Sequence, residues 1–261
     1  MTDSVIFELD GGVARVTLNR PRAMNSFDRA LVSDLASALD EVERRTEVKA
    51  MVLTGAGAVF SAGADLGLIR EALASGDMPT QAAAFVQELH GVLLRVHEAR
   101  VPVVCAINGP CAGGGLGLAL SGDITWASDE ATFRGAFTGI GLTPDTGSSY
   151  LLTRAVGERA AREILLTNRR IDANEALRLG LVSRVVPAAA LLDEATGLAQ
   201  RLAAGATGAL VKTREILGLS MRNDLASQLD VERASVLERF GTRDFAEGVA
   251  AFLEKRAPKF E

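Results

Sequence analysis

The chain has 261 residues, enough for one large domain with a sizeable core. Apolar residues make up 48% and charged residues 23%, an ordinary globular balance, and no apolar run is long enough for a membrane span. A net charge of −5 with no basic cluster argues against nucleic acid as a partner.

The chain opens without a basic start and long apolar run, so no signal peptide is expected. Val5–Leu9 and Val13–Leu18 alternate around Asp10-Gly11-Gly12 and read as a hairpin. A loop with two cations follows, Asn19-Arg20-Pro21-Arg22. Ser26 reads as the N-cap of a helix carrying Leu31, Leu35, Leu39 and Val42 on one face. Ala50–Thr54 is a strand broken by Gly55-Ala56-Gly57. A small-residue turn comes next, Phe60-Ser61-Ala62-Gly63-Ala64-Asp65-Leu66. Ser75–Thr80 reads as a loop and Gln81–His97 as an amphipathic helix. Its histidines, His90 and His97, lack a second ligand at metal spacing and read as helix-surface or core-edge residues. Val101–Ile107 is a buried strand. Cys105 and Cys111 are too close for a useful staple and lack zinc spacing, so a reduced, cytoplasmic protein without a metal is expected.

Asn108–Asp123, NGPCAGGGLGLALSGD, reads as strand end, tight glycine turn and helix. It fails the GxGxxG/A pattern, and no Gly-Lys-Ser/Thr follows, so it is not a usual nucleotide loop. Ile124–Ala127 is a short strand and Thr132–Thr138 is irregular. A turn through Pro144-Asp145-Thr146-Gly147 enters a helix ending near Gly157, and Glu158–Leu166 is another. Asp172 caps a helix that Gly180 stops. Leu181–Val186 is the last strand, and helices alone follow from Ala188. The expected organisation is a β/α body over 1–187, hinting at a repeated strand–turn–helix unit, and a helical region over 188–261.

Ala62-Gly63-Ala64 and Gly113-Gly114-Gly115 each follow a strand and precede a helical segment. Two backbone N–H groups from separate turns can converge on one oxygen, and such a site needs room rather than side chains. For the Asn108–Asp123 stretch taken alone, a close strand–helix packing turn is the plain alternative.

Several stretches resemble the crotonase superfamily, the enoyl-CoA hydratases and isomerases. They are Asn19-Arg20-Pro21 with Asn25; Phe60–Leu66; Asn108-Gly109 with Ala112–Gly115; Asp123; Pro144–Gly147; Leu152–Gly157; Ala176 with Gly180–Val182; and Ala251–Arg256. They span nearly the whole chain, in order. The resemblance implies an α/β spiral of repeated β-β-α units, with a C-terminal helical region used in oligomerisation as a homotrimer or a pair of trimers. It implies an acyl-CoA thioester as substrate and no cofactor, CoA being part of the substrate. It places the N–H groups of Ala64 and Gly114 in an oxyanion hole. Ala62 and Leu66 correspond to positions that meet the adenine, and Arg22 to a cation near the phosphates. Phe252 and Lys255 correspond to residues that a neighbouring subunit adds. A pyrophosphate and a 3′-phosphate favour such cations. Asp65 joins the binding positions, although its acid reads, like that of Asp123, as structural.

The chain departs from the hydratases at two positions, where Gly117 and Phe137 replace glutamates. Hydration needs groups that orient water and move protons, and neither residue can do so. Asp145 remains. It could cap the following helix. The resemblance, greatest to ring-opening isomerases of phenylacetyl-CoA breakdown and to Δ3,Δ2-enoyl-CoA isomerases, makes it the proton shuttle. An apolar wall including Phe137 would then exclude water. Thr138, Thr143, Ser148 and Tyr150 are further candidates to line the pocket. The alternatives are a hydratase of low activity, an inactive acyl-CoA-binding protein, and an aryl-CoA dehalogenase with Asp145 as nucleophile. That last chemistry also uses a Trp, where Phe137 stands, and a His base, from which His90 lies four residues off by direct counting.

Overall fold

The computed structural model describes residues 3–261, except the side chains at 79 and 81. The expected hairpin is β1 (Val5–Asp10) and β2 (Val13–Leu18), with Val5 opposite Leu18 and Asp10 opposite Val13. Then come α1 (Arg29–Arg44), β3 (Ala50–Gly55), α2 (Leu66–Ala74), α3 (Met78–His97) and β4 (Val103–Ile107). The centre of the chain holds β5 (Cys111–Ala112), α4 (Gly114–Ser121), β6 (Ile124–Ser128), β7 (Thr132–Arg134) and α5 (Ser148–Thr167). The rest is β8 (Arg170–Asp172), α6 (Ala173–Leu179), β9 (Arg184–Val186), α7 (Leu191–Ala203), α8 (Thr207–Ser220), α9 (Leu225–Phe240) and α10 (Arg243–Glu254).

The main sheet runs β1-β2-β3-β4-β6-β9, parallel from β2 onward. Both faces are covered at its centre, which is why β3 and β4 are buried along nearly their whole length while β1 and β2 alternate. Strand alternation sends Met51, Leu53, Val103, Cys105 and Ile107 into the core under α1, α3 and α4. Ala50, Val52, Val104 and Ala106 face the other way and pack with Trp126 against Leu191, Ala195 and Ala199 of α7. By packing, therefore, α7 closes the back of the sheet, although it lies beyond residue 187. The helices after it bury little: only Gln228 of α9 and Ala251 of α10 are buried. Arg214 of α8 ties this region to the body through Asp123, 3.2 Å away.

Several local expectations are corrected. Helix α1 is capped by Asp28, whose carboxylate accepts from Leu31 N at 2.8 Å, and not by Ser26. The Ser26 hydroxyl is engaged elsewhere, donating to Asp65 Oδ2 at 3.1 Å. The stretch 75–80 is only partly loop, because α3 begins at Met78 with a proline in its first turn, where proline is tolerated. Thr132–Arg134 is a strand, β7, held between β5 and β8. The expected break at Gly157 is present: with φ +78° and ψ 159° it is non-helical and divides α5 into two helical stretches. Asp172 and Gly180 bound α6 as expected.

The loop entering α1 is organised by Asn25. Its side-chain oxygen accepts from Arg20 N at 2.8 Å, and its amide donates to Ala56 O at 3.0 Å and Val59 O at 2.7 Å. It takes φ +50°, which Asn tolerates better than most residues. Asn25→Ala removes three partly buried hydrogen bonds and is expected to lower stability by about 3 kcal/mol. A urea titration checks this, and an unchanged midpoint and slope would contradict it.

Candidate active site

Two parallel strands, β3 and β4, end side by side, and each hands the chain to a small-residue turn. The turns are stitched together. Phe60 N donates to Pro110 O at 3.1 Å, and Ala112 N to Ser61 O at 2.9 Å. Gly63 has φ +85°, and a Cβ built on it would lie 2.8 Å from Gly114 N and 2.9 Å from Ala112 O. Only glycine lets the two backbones approach this closely. Gly113, with φ +55°, donates its N–H to Arg134 O at 3.2 Å, so the small sheet fixes the second turn.

Around Ala64 the backbone bonds skip one group. Phe27 N donates to Gly63 O, and Asp65 N donates to Phe27 O, which leaves Ala64 N without an acceptor among the described residues. Gly114 N opens α4, whose N-cap Gly113 offers no side chain, and it too has no acceptor among them. The first N–H groups of a helix are free and lie at its positive end. Ala64 is exposed and Gly114 buried. Two adjoining turns thus present two unpaired N–H groups, able to hold one oxygen as negative charge develops on it.

Helix α4 is buried nearly all round, and its glycines are where other backbone comes closest. A Cβ on Gly117 would sit 2.0 Å from Thr146 O, so the position has no room for a side chain. Thr146 itself is buried with φ +54°, and its Cγ2 would lie 3.2 Å from a Cβ on Gly114. The segment after Pro144 therefore lies directly on the second turn, and Asp145 is the residue beside that contact.

Asp145 does not cap α5. The N-cap is Gly147, with no side-chain hydrogen bond. Instead Asp145 Oδ1 lies 2.5 Å from Nε2 of His90 on α3. Both side chains are partly exposed, 35% for Asp145 and 45% for His90. His90 lies on the helix surface, as expected, but with a partner that the sequence reading did not give it. Counting along the chain missed the pair because 55 residues separate its members. His97 is likewise exposed on α3, its Nδ1 3.3 Å from Ser121 O.

The other sequence candidates are dispersed. Asp65 caps α2 through Gly67 N at 2.9 Å and meets Arg20 at 3.2 Å. Burial works to raise its carboxyl, but hydrogen bonds from Gly67, Arg20 and Ser26 outweigh this and hold it below its usual range. Ala62 is half-buried, Leu66 is exposed, and Arg22 stands exposed on the single turn Pro21–Ala23. Phe137 is buried. Thr138 donates to Leu165 O at 3.0 Å, and Thr143 is exposed. The buried Ser148 hydroxyl has no partner among the described residues. The Tyr150 hydroxyl accepts from Arg222 at 3.3 Å, which lowers its pKa. Phe252 is 84% exposed on α10, and Lys255 caps that helix at φ +55°. Burial pushes the Cys105 thiol up to about 12 and Cys111 well above its usual value, so neither is a thiolate at neutral pH. Among the described residues no cluster of His, Cys, Asp or Glu could hold a metal, and no helix is long and apolar enough to cross a membrane.

Residues 8–261 match the family described as enoyl-CoA hydratase/isomerase. The 1,2-epoxyphenylacetyl-CoA isomerase of Escherichia coli is 36% identical over 260 residues, covering 100% of this chain and 99% of that protein. A probable enoyl-CoA hydratase of Mycobacterium tuberculosis is 41% identical over 254 residues, covering 95% and 89%. A crystal structure of an enoyl-CoA hydratase/isomerase from Cupriavidus metallidurans superposes with a TM-score of 0.91 at 34% identity, covering 100% and 97%.

The packing at Gly117 makes a direct prediction. Gly117→Ala must displace Thr146 and should destabilise the protein by about 3 kcal/mol. Chemical denaturation measures it, and a loss under about 0.5 kcal/mol, the scale of a surface change, would show that the contact is slack.

Proposed function

The chain belongs to the enoyl-CoA hydratase/isomerase family, and on that premise we propose that it moves the double bond of an enoyl-CoA thioester. Its fold is the α/β spiral of that family with helices at the C-terminal end. Asp145 removes a proton from the α-carbon. The electrons pass to the thioester oxygen, where the N–H groups of Ala64 and Gly114 hold the enolate. The same carboxyl then returns the proton at the γ-carbon, leaving the double bond conjugated. One acid–base group suffices for this cycle, and it draws on no cofactor.

The observation that carries the reading is the packing of Thr146 on Gly117 and Gly114. It fills the space of a hydratase glutamate with backbone and sets Asp145 beside the second turn. The buried ring of Phe137 supports exclusion of water. Arg22, Ala62, Asp65 and Leu66 are proposed to line the CoA path, Asp65 by ordering the turn. Phe252 and Lys255 are proposed to serve a neighbouring copy's site. The exposed apolar residues of α9 and α10, among them Leu225, Leu229, Phe240 and Leu253, support a homotrimer or a pair of trimers. So does a groove of about 430 Å³ lined by Phe245, Val249, Phe252 and Phe260.

The contact between His90 and Asp145 favours one second reading, an aryl-CoA dehalogenase. Asp145 would attack the ring carbon and His90 would activate water, with Phe137 in place of the tryptophan. Halide release from 4-halobenzoyl-CoA separates the two readings, and the isomerase reading predicts none.

Asp145→Asn should lower kcat for a 3-enoyl-CoA by at least about 10²-fold while CoA-ester binding persists. Hydration of crotonyl-CoA should be negligible in parent and variant alike. Retained isomerisation by the variant would overturn the proposal. Analytical ultracentrifugation should find three or six chains per particle, and a stable monomer would count against the assembly.

A further inference from the structure

We infer that His90 is a positioning residue for the proton shuttle, fixing one oxygen of Asp145 so that the other alone carries the proton. The inference rests on the isomerase reading and deepens it. Asp145 lies in a short connection that turns through left-handed backbone at Thr146, φ +54°, and Gly147, φ +72°. Its side chain is about one-third exposed, so packing alone does not fix its rotamer. A free carboxylate in that setting turns about two side-chain bonds and presents either oxygen to water. His90 removes that freedom.

The imidazole comes from a firm support. Helix α3 is 20 residues long, and Leu89, Val92, Leu93 and Val96 bury its inner face. His90 follows the buried Leu89 directly, so its backbone is held by the core. Its Nε2 lies 2.5 Å from Asp145 Oδ1. Asp145 Oδ2 has no partner among the described residues, and neither does His90 Nδ1. With the hydrogen on Nε2, the neutral ring donates to the ionised carboxylate and leaves Oδ2 as the base. When Oδ2 takes the α-proton, the N–H still holds Oδ1, now the carbonyl oxygen of the acid, so the group stays aimed at the γ-carbon. The proton leaves and returns through one oxygen, and His90 neither gains nor loses one. Orientation of this kind governs rate strongly, because a misplaced reacting group loses the benefit of being held in place.

The test compares kinetics with a 3-enoyl-CoA for His90→Ala, His90→Gln, Asp145→Asn and the His90→Ala/Asp145→Asn pair. His90→Ala should lower kcat by about 10- to 100-fold with KM unchanged. His90→Gln, whose amide can donate in place of the ring N–H, should recover most of that loss. The double variant should be no slower than Asp145→Asn alone. In the parent, the His90 Nε2 proton should give a downfield NMR resonance that disappears in Asp145→Asn, a readout that needs no change at His90. Parent-level kcat in His90→Ala, equal losses in both His90 variants, additive losses in the double, or an unaltered resonance would each overturn the inference. Failure of the isomerase reading looks different: the parent would not turn over a 3-enoyl-CoA, or Asp145→Asn would.

Discussion

The approach of two backbones, Gly63 against Gly114, decides most of what this molecule can do. A Cβ at Gly63 would meet Gly114 N at 2.8 Å, so any side chain there would push the two turns apart. The approach is prepared by the sheet. Parallel pairing of β3 with β4 ends both strands at the same edge, where crossing connections must turn. Bonds between Phe60 and Pro110 and between Ser61 and Ala112 then continue the pairing past the strand ends. Arg20, Asn25 and Asp65 brace the first turn from outside, while Arg134 O anchors the second. This arrangement leaves the N–H groups of Ala64 and Gly114 without an acceptor among the described residues.

Gly117 sets the second constraint, on which chemistry follows. Backbone at Thr146 occupies the space that a longer residue would need. A chain cannot hold both a glutamate at this position and the 145–147 connection in this place. The helix after the glycine turn therefore carries no acidic side chain at this point, and the carboxylate nearest in sequence to the packed Thr146 is that of Asp145. His90, on a helix whose inner face is core, meets that loop residue across 55 positions of sequence. The Asp145 carboxylate thus has a buried neighbour, Thr146, on the backbone and an imidazole 2.5 Å from one oxygen.

Much of this was legible in the sequence, for reasons that can be named. The hairpin, the buried strands and α6 follow from local chemistry: alternation, β-branched runs, Asp172 and Gly180 at the helix ends. The paired turns were legible because small residues cluster only where backbones must touch. Local rules failed where a tertiary contact competed. Ser26 looked like a cap, but its hydroxyl goes to Asp65, and Asp28 caps the helix. Thr132–Arg134 looked irregular because three residues carry little periodicity, and β5 and β8 make it a strand. Asp145 suited a helix cap by type, yet its carboxylate turns to His90. Counting residues set His90 four positions away from such a partner, since no spacing rule joins a helix surface to a distant loop.

The central claim is that Ala64, Gly114 and Asp145 together make and unmake an enolate. The most direct measurement is exchange of α-protons in D₂O, followed by NMR across a small panel of acyl-CoA thioesters. The account predicts catalysed α-deuteration of at least one bound thioester, dependent on Asp145. A protein that binds acyl-CoA tightly yet exchanges no α-proton on any of them would contradict it.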